Sequence, residues 1–154
     1  MNYAGFWRRV AAALIDVLFV GILSAVFCGV VAGALFFITK SGAASGNVGD
    51  AKSDLVGYTS IALFIAGPLI ISWLYFAKLE SSARRATLGK VSMNICVTDV
   101  DGNRLTFGRA SARYFAKVLS AIPAYVGFLM IAFTAKKQGL HDIITSSVVV
   151  SKPA

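Results

Sequence analysis

Asp16 is the one charged residue between Val10 and Thr39, in a stretch otherwise made of apolar and small side chains. On insertion scales a carboxylate at the bilayer centre costs about 2.5–3.5 kcal/mol, and less toward the interface. Such a group persists where it has a counter-ion or a role to play, such as taking up a proton, binding a cation, or locking one helix to another. Arg9 lies seven residues earlier, two helical turns back on nearly the same face. That is too far for an ideal direct pair, although a long arginine can lean toward it. Arg109, Arg113 and Lys117 are spaced i, i+4, i+8 and make a basic stripe along one helix. Arg113 and Lys117 are the charge partners this stripe offers Asp16. Arg109 is expected to snorkel to lipid phosphates, as basic residues on interfacial helices do.

His141-Asp142 follows Lys136-Lys137-Gln138-Gly139-Leu140. The pair has no nucleophile and no second metal ligand beside it. Asp142 is placed to cap a turn or to accept from the basic cluster. Cys28 and Cys96 lack the spacing of a metal site or a dithiol and are expected to be small buried residues. No phosphate-binding loop, zinc helix, nucleophile elbow or dinucleotide fingerprint is present. The chain is therefore not expected to be an enzyme, and no cofactor or metal is expected.

The elements that must position these residues are membrane elements. The chain of 154 residues has room for one domain, and it is 57% hydrophobic and only 14% charged, against about 25% charged in a soluble domain. Its 15 Lys and Arg outnumber 7 Asp and Glu. In a soluble protein this excess would point to nucleic acid; beside long apolar runs it points to the anionic face of a membrane. Val17–Thr39 and Leu55–Ala77 are 23 uncharged residues each, enough to span a hydrocarbon core that needs about 20. With the apolar residues before Asp16, the spans cover about 10–39 and 55–77. The first run is too long for a cleaved signal sequence, whose apolar region is about 7–15 residues.

Charge sets the orientation. Arg8 and Arg9 precede the first span, the loop 40–54 is neutral, and Lys78 through Lys117 carry eight basic and three acidic residues. Basic flanks stay on the cytoplasmic side, so the amino terminus is expected inside a cell (inner) membrane and the 40–54 loop outside. Val118–Ala135 is a third uncharged run of 18 residues, interrupted by Pro123. A plain third crossing would export Lys136, Lys137 and Lys152. The favoured alternative is a re-entrant or interfacial helical hairpin over 107–135, Phe107–Ile122 and Ala124–Ala135, broken at the proline. Val91–Thr98 alternates apolar and polar residues before Asp101-Gly102-Asn103, and the tail segment Ser147–Ser151 is β-branched. These are expected to pair as a small cytoplasmic sheet. The fold class is thus an all-α membrane protein with two transmembrane helices, a proline-broken hairpin and a small β pairing. Within it lie a strand module at about 86–106 and a tail at 136–154. Gly21, Ala25, Gly29 and Gly33 form a small-residue packing face about 140° around the helix from Asp16.

Gly5-Phe6-Trp7-Arg8-Arg9-Val10-Ala11-Ala12-Ala13-Leu14-Ile15-Asp16 resembles the opening signature of the RDD family of small membrane proteins. Ala86-Thr87-Leu88-Gly89-Lys90, Val97-Thr98-Asp99 with Asp101-Gly102, Arg109-Ala110, Arg113 and Gln138-Gly139-Leu140-His141-Asp142 resemble its later segments. The resemblance implies that Arg9, Asp16 and Asp142 are the family's arginine and two aspartates. One departure stands out: Thr145-Ser146-Ser147 replaces the usual Ala-Gly-Thr. The family implies transport of an unidentified ligand rather than a substrate. Two functions follow as expectations: transport of an ion or small solute with Asp16 as an intramembrane site, or a non-catalytic accessory or assembly subunit of a larger complex. Either way the expected partners are membrane lipids and further subunits, in a homo-oligomer or a larger assembly, and not nucleic acid.

Overall fold

The two apolar runs form the two long helices, α1 (Phe6–Ala44) and α2 (Asp50–Glu80). The computed structural model describes residues 2–44, 50–121, 130–131 and 133–151. After α2 come α3 (Leu88–Ser92), β1 (Ile95–Asp99), α4 (Phe107–Ala121), α5 (Leu140–Ile144) and β2 (Ser147–Ser151). The stretches Phe6–Ser41 and Asp54–Glu80 are long and apolar enough to cross a membrane, a little wider than the spans read from the sequence. The chain divides into two compact units, Phe19–Ser72 and, by itself, Met1–Leu18 with Trp73–Ala154.

The Phe19–Ser72 unit consists of the central parts of α1 and α2. Its large apolar side chains, among them Ile22, Val26, Val30, Ile61 and Ile65, face outward, as lipid-facing residues do. Its hydroxyls return to their own helices: Thr59 donates to the Leu55 carbonyl at 2.8 Å and Ser72 to the Leu69 carbonyl at 3.0 Å. A hydroxyl bonded in this way is satisfied without water. The close approach in this unit is not at the expected packing face. A Cβ added at Gly21, Gly29 or Gly33 would meet nothing within 4 Å, whereas one at Gly67 would collide with the Phe27 ring. Among the described residues of this unit, then, the stripe of Gly21, Ala25, Gly29 and Gly33 is open, and Gly67 is the glycine that admits a neighbour.

The other unit is built on an antiparallel pair, with Ile95 opposite Ser151 and Asp99 opposite Ser147. The expected pairing is present, but the first strand begins four residues later than its alternation suggested. Val91 and Ser92 end α3, and Asn94 turns the chain at φ 53°, a conformation that asparagine tolerates. Nor does β1 have a wet face: Ile95, Cys96, Val97 and Thr98 are all buried. Gly102 closes the turn after β1 at φ 83°, its N–H donating to the Asp99 carbonyl at 2.9 Å.

The segment before α1 supplies a third edge. Tyr3 bridges Val150, Ala4 N–H donates to the Val149 carbonyl at 2.9 Å, and Ser151 N–H donates to the Asn2 carbonyl at 2.8 Å. Ala4, Ala12, Ile95, Val97, Leu105 and Val149 form the apolar core beneath. The start of α1 is therefore anchored to the sheet at both its approach and its second turn. α4 is the first arm of the expected hairpin; the Pro123 bend lies outside the described residues.

Candidate functional site

Around this sheet the module holds four buried or half-buried acids, each positioned by a different element. Asp16, from α1, is almost fully buried. Its Oδ1 accepts from the Tyr75 hydroxyl of α2 and from the Gly89 N–H of α3, both at 2.8 Å; its Oδ2 accepts from the Thr87 hydroxyl at 2.5 Å. Thr87 is the residue that caps α3, but its hydroxyl turns to Asp16 and makes no cap of its own. The carboxylate thus satisfies a free N–H in the first turn of α3 from outside that helix. The Tyr75 hydroxyl in turn accepts from Leu88 N–H at 3.2 Å. Glycine at 89 is what allows this approach, because a Cβ there would collide with the Ala12 carbonyl oxygen.

Glu80, at the end of α2, is fully buried and faces three cations. Lys90 Nζ donates to its Oε1, Lys117 Nζ lies 3.4 Å from the same oxygen, and Arg113 Nη1 lies 3.6 Å from Oε2. Asp142, in α5, takes Arg113 Nη2 at 2.6 Å on Oδ1 and Arg9 Nη1 at 2.5 Å on Oδ2. It also accepts from Gly139 N–H at 3.3 Å, capping its own helix as the sequence suggested. Asp99, at the end of β1, pairs with Arg109, whose other nitrogen donates to the Thr145 and Ser146 carbonyls at 2.9 Å each.

The i, i+4, i+8 stripe therefore exists, turned inward. Arg109, Arg113 and Lys117 climb one face of α4 against Asp99, Asp142 and Glu80. The opposite face carries Phe107 and Phe115, 45% and 58% exposed, with Trp73 of α2 about 6 Å from both rings. Lys117 Nζ also sits 4.2 Å from the centre of the Phe76 ring, a favourable cation–π position.

Burial and neighbouring charge set the titration of the residues after the spans. Burial pushes the Lys90 ammonium down to about 8, against the opposing pull of Glu80. Burial lowers His141 to about 3, with Arg113, Lys117 and Arg9 adding to it and Asp142 opposing. For Asp142 burial alone would raise the value, but Arg113, His141 and Arg9 outweigh it and hold the carboxyl at about 2. Asp99 is held below the usual carboxylate range by its bond from Arg109.

The arginine and two aspartates singled out above are all in this module, but they are not one triad. Arg9 and Asp142 pair directly; Asp16 belongs to a separate site. Arg113 and Lys117, expected beside Asp16, serve Asp142 and Glu80 instead, because the face of α4 that carries them meets α5 and the end of α2. Arg9 does not lean to Asp16 either: its remaining nitrogens donate to the Lys137 carbonyl at 2.6 Å and the Ala4 carbonyl at 3.3 Å. Arg109 is tied to protein carbonyls and Asp99, not aimed at lipid phosphate. Glu80, Tyr75 and Lys90 escaped the sequence reading as site residues; the one available signal was an acid, Glu80, closing an apolar run. The turn at Thr145-Ser146-Ser147 is kept without glycine, Ser146 taking φ 48° at a cost of about 1–2 kcal/mol. Among the described residues no group of three or more His, Cys, Asp or Glu could hold a metal ion.

Comparisons with known proteins place the chain in a family. A family model described as the RDD family matches residues 3–146. A Bacillus subtilis (strain 168) protein titled "Uncharacterized protein YxaI" is 37% identical over 155 residues, covering 97% of both chains. A second from the same organism, "Uncharacterized membrane protein YteJ", is 29% identical over 154 residues, covering 96% of this chain and 80% of the relative. No solved structure matches.

Proposed function

The chain belongs to the RDD family and is a membrane protein, and from that premise we propose that it moves a proton or a small cation, with Asp16 as the coupling carboxylate. One observation carries this reading. Glu80, Asp99 and Asp142 each face an arginine or lysine, whereas the partners of Asp16 are two hydroxyls and an amide. A buried carboxylate in a spanning helix without an ion pair among the described residues can exchange its charge for a proton or a cation at modest reorganisation. The Tyr75 and Thr87 hydroxyls are both donors and acceptors and can reorient around either form. Intramembrane acids with this freedom are commonly functional.

In this proposal the protein lies in the cell (inner) membrane with its amino terminus and the ion-paired module on the cytoplasmic side, and residues 40–54 outside. The basic flanks support that orientation. The outward aromatic face of α4 supports an interfacial position for it, with residues 107–135 returning to the same side. Two spans do not enclose a path, so the working unit is a homo-oligomer. The activity is non-enzymatic and uses no cofactor.

A second reading, an accessory or assembly subunit of a larger membrane complex, is favoured by the open stripe at Gly21, Gly29 and Gly33, which suits a foreign helix as well as a second copy. Proteoliposomes loaded with a pH-sensitive dye test the two together. Transport predicts proton or cation flux from the protein alone, abolished by Asp16→Asn in a variant that still melts cooperatively. Flux unchanged by that substitution, or a protein isolated in mild detergent only with stoichiometric foreign subunits, rejects it in favour of the accessory role.

A further inference from the structure

A cavity of about 350 Å³ opens beside the start of α1, lined by Tyr3, Phe6, Trp7, Arg8, Lys137 and Ser151 among others. Its volume falls at the lower end of the roughly 300–1,000 Å³ typical of small-ligand sites. We propose that this cavity binds the phosphate group of an anionic phospholipid, with Arg8 and Lys137 as the two charges that hold it. The site is separate from Asp16 and does not depend on any transport activity.

Three observations converge on this ligand. The lining carries two cations, and among the described residues that form it none is acidic. Both cations are set in place by the fold. Arg8 Nη1 donates to Ser151 Oγ at 3.3 Å, on the strand that the Asn2–Ala4 segment extends. The Lys137 backbone is clamped by Arg9, which donates to its carbonyl at 2.6 Å while pairing with Asp142. Lastly, the cavity lies where the candidate span Phe6–Ser41 begins. Trp7, 78% exposed and edge-on to Phe6 at 5.4 Å, is the kind of side chain that sits at headgroup level. A ligand that reaches this mouth from the membrane, is negatively charged and tolerates aromatic neighbours is a lipid phosphate rather than a soluble metabolite.

The test uses the full chain in mild detergent and counts retained lipid by native mass spectrometry. Dioleoyl phosphatidylglycerol is compared with dioleoyl phosphatidylcholine. The wild type is expected to retain the anionic lipid preferentially, and Arg8→Gln with Lys137→Gln to lose that preference roughly tenfold or more, each basic residue near an anionic surface contributing about 1 kcal/mol. Arg84→Gln with Arg104→Gln removes the same charge from exposed positions outside the cavity and is expected to retain it. Arg8→Lys with Lys137→Arg keeps both charges and should bind as the wild type does. Equal loss in the two charge-removal pairs overturns the site in favour of diffuse attraction. Displacement of the phosphatidylglycerol by millimolar inorganic phosphate overturns the lipid assignment. Should the Arg8 and Lys137 double variant not fold, Lys137→Gln alone gives the same reading, and an undiminished preference there overturns the proposal.

Discussion

Gly89 of α3 stands so close to α1 that a methyl group on it would collide with the Ala12 carbonyl oxygen and lie 2.9 Å from Asp16 Cγ. The obstacle is helix backbone, which cannot swing aside as a side-chain tip can. Gly89→Ala must therefore push α3 away and withdraw the Gly89 N–H from the Asp16 carboxylate. Overpacking costs about 1–3 kcal/mol, and the upper end is expected here. Gly108→Ala, in α4 with nothing within 4 Å of the added carbon, is expected to be neutral or slightly stabilising. Thermal melting of both variants in detergent checks the contrast, and equal melting temperatures would contradict the packing described.

Among the described residues Arg113 is the one cation that faces both Glu80 and Asp142, and it is 2% exposed. Replacing it with methionine leaves two buried carboxylates short of a partner, a loss expected at about 3–5 kcal/mol. Lys117→Met is expected to cost about 1 kcal/mol or less, because Lys117 is partly solvated and Glu80 keeps Lys90. Denaturation of the two variants should separate them clearly. Similar small losses would mean that the buried ladder contributes little.

Acid should loosen the module before it protonates ordinary surface carboxylates. His141 titrates near pH 3 in the folded chain against 6.5 for an exposed histidine, so between those values the unfolded chain binds the extra proton. Stability is then fully present above pH 6.5 and declines as pH falls toward 3, at no more than about 1.4 kcal/mol per pH unit for one group. Asp142, held at about 2 against 3.8, has the same sign and extends the loss at the acid end. A melting series from pH 7.5 to 4 is expected to slope downward, and His141→Gln to flatten it. A flat wild-type series would refute the assignment.

Periodicity made part of this legible. The spacing of Arg109, Arg113 and Lys117 told which residues share a face of α4, and the isolation of its charge in an apolar run marked Asp16. What faces that stripe was not legible, since Glu80, Asp99 and Asp142 come from three elements whose meeting is a tertiary event. The alternation over Val91–Thr98 misled at its start, because the cap of α3, held by Asp16, keeps Val91 and Ser92 helical. The sheet edge at Asn2–Ala4 had no pattern to betray it: its contribution is main-chain hydrogen bonding, which side-chain periodicity does not encode. The small-residue stripe was visible, but not that the described residues leave it open, as spacing says that a helix can come close and not whether one does.

The pairing of Asn2–Ala4 with Val149–Ser151 has a consequence for how the protein is made. Asn2–Ala4 is made before β2 and must wait for it before its edge of the sheet exists. Until Asp142 has been made Arg9 is without it, and α1 enters the membrane with its basic end unclamped. Nascent chains halted before residue 147 should therefore be inserted yet protease-sensitive at the amino terminus. A stop codon at Ser147 would release a protein whose helices are sound and whose quality-control fate is decided by a missing strand of five residues.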